Sequence, residues 1–285
     1  MTKPNNSKIK VLRLGRVYYK HKDSAKAEKF LAPFGFVEVK REGKRIYYRG
    51  YGSEPFLYCL EESSSREIFA DVTEIYDLDE APGGGKCVTV KDPIDGWPLH
   101  LVYGQTPVEP TKDYRYLDFN FPHKKNRAGN EFQRFEKGPA LIHKLGHFGL
   151  CVTQFQKTFD FYTKNFNFVP SDTWEKLLQT TTAFSYLKAP NLMSITPRSR
   201  SMHDFDVEVL GHDHLRDLGY QNCWGVGRHV LGSQIFDYWY DPSSFIVEHY
   251  VDGDQVNCHS KTNIELATPD GLHVWGPRLP EGFLT

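Results

Sequence analysis

One layout occurs twice in this chain, and that constrains its fold more than any single motif. Residues 11–43, VLRLGRVYYKHKDSAKAEKFLAPFGFVEVKREG, and residues 142–172, IHKLGHFGLCVTQFQKTFDFYTKNFNFVPSD, each read as an apolar strand with Leu-Gly near its start, a polar break, a helix-like segment and an aromatic strand. Each predicts a β-α-β unit. Residues 88–105, VTVKDPIDGWPLHLVYGQ, and 236–254, FDYWYDPSSFIVEHYVDGD, also match, both reading strand, Asp-Pro turn, strand. The chain is therefore predicted to be two similar, mainly β halves, over 10–104 and 142–253. The linker between them (105–141) is rich in Pro, charge and aromatics and wraps one half onto the other, and the tail (254–285) is mostly loop. At 285 residues the chain is long enough for two domains of ~150 residues.

The partner expected from composition is small. Lys and Arg number 35 against 36 Asp and Glu, so the balance favours neither nucleic acid nor an anionic membrane. Hydrophobic residues make up 39% and aromatics 14%, which is globular, and no apolar run approaches the ~20 residues of a membrane span. The opening MTKPNNSKIK is polar, without the apolar region of a secretory signal. The five cysteines are odd in number and scattered, without C-x-x-C, and read as free thiols in a reducing, cytoplasmic compartment. The oligomeric state is left open, a homo-oligomer included.

Chemistry should show as a difference between the halves. Aligning the two Leu-Gly pairs places His147 opposite Arg16, and aligning the Asp-Pro turns places Glu248 opposite His100, so only the second half offers His plus Glu. In a strand LGHFGLCV, Phe148, Leu150 and Val152 fill one face while His147 shares the other with the small Gly149 and Cys151, which leave space around an imidazole. Glu248 falls between Ile246 and Tyr250 on one pleat face and needs a cation, a hydrogen-bond donor or water. Two readings stand for His147: a buried imidazole with an ordinary hydrogen-bond partner, or a metal ligand. Imidazole and carboxylate on two corresponding strands, with positions left open, suit non-haem Fe(II).

The strand L-G-H-F-G-L, the run W-G-V-G-R-H-V-L-G-S-Q-I-F-D-Y-W-Y-D-P and the ending F-I-V-E-H-Y together resemble type I extradiol catechol dioxygenases. These belong to the vicinal oxygen chelate (glyoxalase and bleomycin resistance) superfamily, and the likeness is strongest to fungal members related to catechol 2,3-dioxygenase. The resemblance implies an α+β fold of paired β-α-β-β-β modules in two open-barrel domains, the N-terminal one non-catalytic. It further implies Fe(II) held in the C-terminal domain by two histidines and a glutamate, with His147 and Glu248 as two of the three. By the same motifs His229 matches the acid-base histidine and Tyr238 the tyrosine that hydrogen-bonds the bound catecholate. The substrates implied are a small aromatic diol and O2.

The roles make chemical sense. Three ligands on one face of Fe(II) leave room for two catechol oxygens and dioxygen. A nearby histidine can take the catechol proton and later return it, and a tyrosine can donate to a substrate oxygen. Taken singly, His229 is a loop histidine and Tyr238 one of sixteen tyrosines; their joint spacing with Glu248 favours the functional reading.

Two modules are shortened against that pattern. The family carries its second histidine ligand on a strand ahead of a segment resembling His203-Asp204-Phe205-Asp206, yet residues 187–202 hold no histidine, and residues 61–85 are too short for the usual strand and helix. His203 is the substitute nearest in chain order, although its matching position is the strand's end. His212 and His214 fall where a helix is expected and point to different faces, and His143, His249 and His100 read as strand or rim residues. Two functions of different class follow: an Fe(II)-dependent ring-cleaving dioxygenase, or a metal-poor or inactive relative that binds a small molecule. A glyoxalase-like metal enzyme shares the fold but draws ligands from both halves, against which Arg16 speaks.

Overall fold

In the computed structural model the described residues are 8–64, 67–68, 74–111, 119–127, 129, 132–150, 152–174, 186–188, 203–254, 261–265, 272–281 and 283. The first unit runs β1 (Val17–His21), α1 (Ser24–Phe34), β2 (Val37–Glu42), β3 (Arg45–Arg49) and β4 (Tyr58–Glu62). Helix α1 begins where the Asp23 carboxylate accepts the Lys26 N–H at 3.0 Å and ends at Gly35, whose φ of 109° only glycine adopts without strain. Its buried residues Ala27, Phe30, Leu31 and Phe34 recur at helical spacing and form one apolar stripe. The strands order as β2-β3-β4-β1-β5, with β5 (Glu67–Ile68) antiparallel to β1 and β4 parallel to it.

Strands β6 (Tyr76–Asp77), β7 (Lys86–Lys91) and β8 (Pro98–Tyr103) make an antiparallel sheet of three. The second half follows with α2 (Phe155–Asn165), β9 (Val169–Trp174), β10 (Tyr186–Lys188), α3 (His203–Asp217), β11 (Asn222–His229), β12 (Ile235–Tyr240) and β13 (Ile246–Val251). The tail adds β14 (Asn263–Glu265) and β15 (His273–Trp275). The resulting sheets are β10-β9-β14 and β13-β12-β11-β15. Sheets β2-β3-β4-β1-β5 and β10-β9-β14 are mixed and the other two antiparallel, with few helices, as suits an α+β fold of open modules.

The two Asp-Pro turns use one device. Asp92 accepts the N–H groups of Ile94, Asp95 and Trp97, and Asp241 accepts those of Ser243 and Phe245, so each buried carboxylate closes its hairpin by satisfying the loop's own donors. Strand alternation in the second half then separates two surfaces. Trp239 and Val247 face a core shared with Phe30, Leu31, Phe34 and Leu60 of the first half and Leu215 of α3, while Phe236, Tyr238 and Tyr240 face the opposite side with Trp224. The shared core, the packing of α1 on α3 and the His249 Nε2–H bond to the Phe34 carbonyl at 2.6 Å join the halves directly.

Several sequence expectations are corrected. Residues 142–150 form no strand, and the start of the segment is committed elsewhere: Tyr51 N–H donates to the Ile142 carbonyl at 2.9 Å, and the carbonyls of Ala140, Ile142 and His143 lie against the α-carbons of Gly35, Gly50 and Gly52, where no β-carbon fits. Phe148 is accordingly exposed and does not fill a strand face with the buried Val152. Within the tail, two strands of three residues each are tied to the sheets, β14 pairing with β9 and β15 with β11. His203 opens helix α3 and does not close a strand. The stretch 189–202, where the missing ligand strand was sought, lies outside the described residues, as do Cys151 and Cys258. Among the described residues no helix is long and apolar enough to cross a membrane.

Candidate metal centre

Glu248 sits mid-strand in β13, directly opposite Tyr238 of β12, and its side chain is only 8% exposed. Its Oε1 has no hydrogen-bond partner. A buried, unsatisfied carboxylate costs several kcal/mol unless something neutralises it. His147 Nε2 lies 2.8 Å from Glu248 Oε2. Burial works against a charged His147 imidazole, but the neighbouring carboxylate outweighs it and holds the His147 pKa above its usual value. An imidazole nitrogen and a buried carboxylate converging in this way fit two ligands of a divalent cation.

No strand ladder holds His147 in place; Tyr250 does. One pleat step beyond Glu248 and on its face, Tyr250 puts its ring 5.2 Å from that of His147, and its hydroxyl occupies the space where a β-carbon on Gly146 would be. Burial, reinforced by Glu248, pushes the Tyr250 hydroxyl up to about 12, so it stays protonated.

The acid-base pair lies on the same face. His229 Nδ1 is 2.9 Å from the Leu272 carbonyl, which can only accept, so Nδ1 carries the proton. Nε2 is then the acceptor for the Tyr238 hydroxyl, 3.1 Å away. Burial lowers the His229 pKa below its usual value, partly opposed by Glu248, which keeps the ring neutral near pH 7. Phe236 stacks on His229 at 4.1 Å between centroids, and Trp224 lies parallel to Tyr238 at 5.8 Å, so both polar groups are set in an aromatic wall.

The structure therefore brings together His147 with Glu248, and His229 with Tyr238. Among the described residues no group of three or more His, Cys, Asp or Glu side chains could hold a metal, and the side chain of His203 lies outside the described residues. His212 lies elsewhere, 3.0 Å from Asp237 on the face turned from the site, where Asp237 also accepts from Asn222 and Trp239. His100 bonds Thr89 at 2.8 Å, and Arg16 bonds Gln105 and covers Phe56, so the corresponding corner of the first half carries no ligand pair. Tyr250, Leu272 and His273 were missed from sequence. For the last two a signal existed, since Leu-His-Val-Trp alternates between Gly271 and Gly276. His273 pairs with His229 across the ladder, and its Nδ1 is buried without a partner.

No protein-family model matches the chain. Over 153 residues it is 31% identical to metapyrocatechase 2 of Cupriavidus necator, a match taking in 50% of this chain and 48% of that protein. Among solved structures it is similar to the Mn(II)-bound glyoxalase from Novosphingobium aromaticivorans, with a TM-score of 0.71 and 18% identity over 95% of each chain. It is likewise similar to homoprotocatechuate 2,3-dioxygenase from Brevibacterium fuscum in complex with 3,4-dihydroxyphenylacetate, with a TM-score of 0.71 and 13% identity over 98% of this chain and 93% of that one. A third similar structure is BphC, a halotolerant catechol dioxygenase, with a TM-score of 0.66 and 14% identity over 97% of each chain. The fold is the one shared by extradiol dioxygenases and glyoxalases, that of the vicinal oxygen chelate proteins.

Proposed function

We propose that the chain is an extradiol ring-cleaving dioxygenase that inserts both atoms of O2 into a catecholic substrate at a non-haem Fe(II). The observation that carries this reading is the convergence of His147 and the buried Glu248 carboxylate, whose Oε1 has no partner, beside the hydrogen-bonded His229 and Tyr238. His147 and Glu248 would hold the metal, with His203 the candidate third donor. When bound, Fe(II) supplies positions for both catechol oxygens and O2 and lets electron density pass between them.

The chain's own residues supply the proton chemistry. Neutral His229 presents its Nε2 lone pair to accept a catechol O–H proton, and the Nδ1–H bond to Leu272 stabilises the imidazolium so formed. Tyr238, released from Nε2, can donate to a substrate oxygen. Trp224, Phe236 and Tyr238 exclude water from that side. The buried thiols Cys59, Cys87 and Cys223 accord with a reducing, cytoplasmic setting.

Protein reconstituted anaerobically with Fe(II) and then exposed to catechol and O2 should form a yellow semialdehyde product. His229→Ala should keep its iron and lose ~10²-fold or more in rate, the usual scale for an acid-base group. Product no faster than from free Fe(II) would leave a small-molecule-binding protein.

A further inference from the structure

The C-terminal tail reaches the acid-base histidine itself. Strand β15 pairs Trp275 with Arg228 and His273 with His229, and this register places the Leu272 carbonyl 2.9 Å from His229 Nδ1. Two glycines permit the approach. A β-carbon on Gly276, whose φ is 128°, would lie 2.6 Å from the Gly227 α-carbon, and one on Gly227 would lie 2.9 Å from the Trp275 carbonyl. Trp224 Nε1–H anchors the next turn through the Pro277 carbonyl at 2.8 Å. Phe283 then closes on Trp224 and Tyr238, with ring centroids 5.1 and 5.2 Å away.

Resting on the ring-cleavage reading, we propose that tail residues 272–283 are a positioning element of the acid-base pair, the Leu272 carbonyl holding His229 as its Nδ1–H tautomer so that Nε2 faces Tyr238 and the substrate. Without the carbonyl the neutral imidazole would distribute its proton between both nitrogens, and the fraction with Nε2 protonated could not act as a base. The described tail contacts run to Arg228, His229, Trp224 and Tyr238, so the tail acts on proton transfer and leaves metal capture to His147 and Glu248.

The test is 15N NMR of histidine-labelled full-length protein, with Fe(II) content measured in parallel. The wild type should show His229 as a single tautomer protonated at Nδ1. Gly276→Ala should raise amide hydrogen exchange over 272–279, give His229 mixed tautomers, shift the acid limb of the kcat/KM profile and lower kcat about 10-fold or more, the scale for an outer partner of a working group. Iron content should not change. Trp224→Phe, which loses the Pro277 anchor and part of the ring area packed on Tyr238 and Phe283, should move the same readouts in the same direction and serves if Gly276→Ala does not fold. A wild-type His229 protonated at Nε2, or an unchanged single tautomer in a variant whose tail amides exchange freely, would overturn the proposal. The tautomer is read without substrate, so absence of ring cleavage would count against the function alone.

Discussion

The hydroxyl of Tyr250 rests against the α-carbon of Gly146 and leaves no room for a side chain there. His147 follows Gly146 directly on a segment with no ladder hydrogen bonds, so this contact decides where the imidazole sits relative to Glu248. Gly146→Ala should displace the segment and weaken Fe(II) binding by about 10–100-fold, the scale for outer-shell changes at metal sites. Anaerobic titration with Fe(II) would measure it. Tyr250→Phe, which removes the hydroxyl but keeps the ring beside His147, should cost less, and full affinity in Gly146→Ala would show that His147 is held by something else.

Glu248 is buried with Oε1 lacking a partner and Oε2 facing only the imidazole of His147 among the contacts described, an arrangement that a cation makes favourable. Fe(II) at a hundredfold excess over its Kd should therefore stabilise the folded protein by about 2.7 kcal/mol, seen as a rise in Tm. In Glu248→Gln the shape is kept and the charge is gone, so the Fe(II)-dependent rise should vanish while the metal-free protein remains folded. His147→Ala should abolish the rise as well, and a rise that survives in both variants would place the metal elsewhere.

Features set by local chemistry were readable from the chain before its structure. The Asp-Pro hairpins and the helices α1 and α2 depend on residues near one another in sequence and appear where the pattern placed them, and the spacing from His229 to Tyr238 brings those two side chains within hydrogen-bond reach. The pairing of His147 with Glu248 was legible for another reason, because comparing the halves exposed a His and a Glu with no counterparts. The segment carrying His147 has the alternation of a strand, yet no sequence signal reveals that Gly35, Gly50 and Gly52 will take its carbonyls out of any ladder. Strand β15 was obscured because three residues are too few for alternation to outweigh the surrounding Gly and Pro. Tyr250 looked like any strand aromatic, since its role depends on a glycine far away in sequence.

Leu215 of α3 is fully buried in a core that also holds Phe30, Leu31 and Leu60 of the first half and Trp239 of the second. Leu215→Ala should cost about 2–5 kcal/mol through lost burial and the cavity left behind. Because the cluster belongs to both halves, they should unfold together, in one transition moved to lower denaturant. Chemical denaturation followed by tryptophan fluorescence and by far-UV circular dichroism would check this, and two separate transitions would show that the halves fold independently.

His229 links pH to both stability and turnover. Its pKa is lowered in the folded protein by burial, against ~6.5 for an unperturbed histidine, so between the two values the unfolded chain binds the extra proton and the native one does not. Its contribution is therefore fully present above the unfolded value and is lost as pH falls through the folded one, so this group makes stability climb as pH rises towards the ordinary histidine value, while His147, whose pKa is raised beside Glu248, works in the opposite sense above it. His143 and His249 are pushed the same way by burial, so His229→Asn should flatten only part of that slope. Turnover follows the same group: the acid limb of kcat/KM should fall below the ordinary histidine range, because His229 stays neutral, and able to accept the catechol proton, to lower pH. Urea denaturation and initial rates over that range would measure both, and an acid limb at or above ~6.5 would show that another group takes the proton.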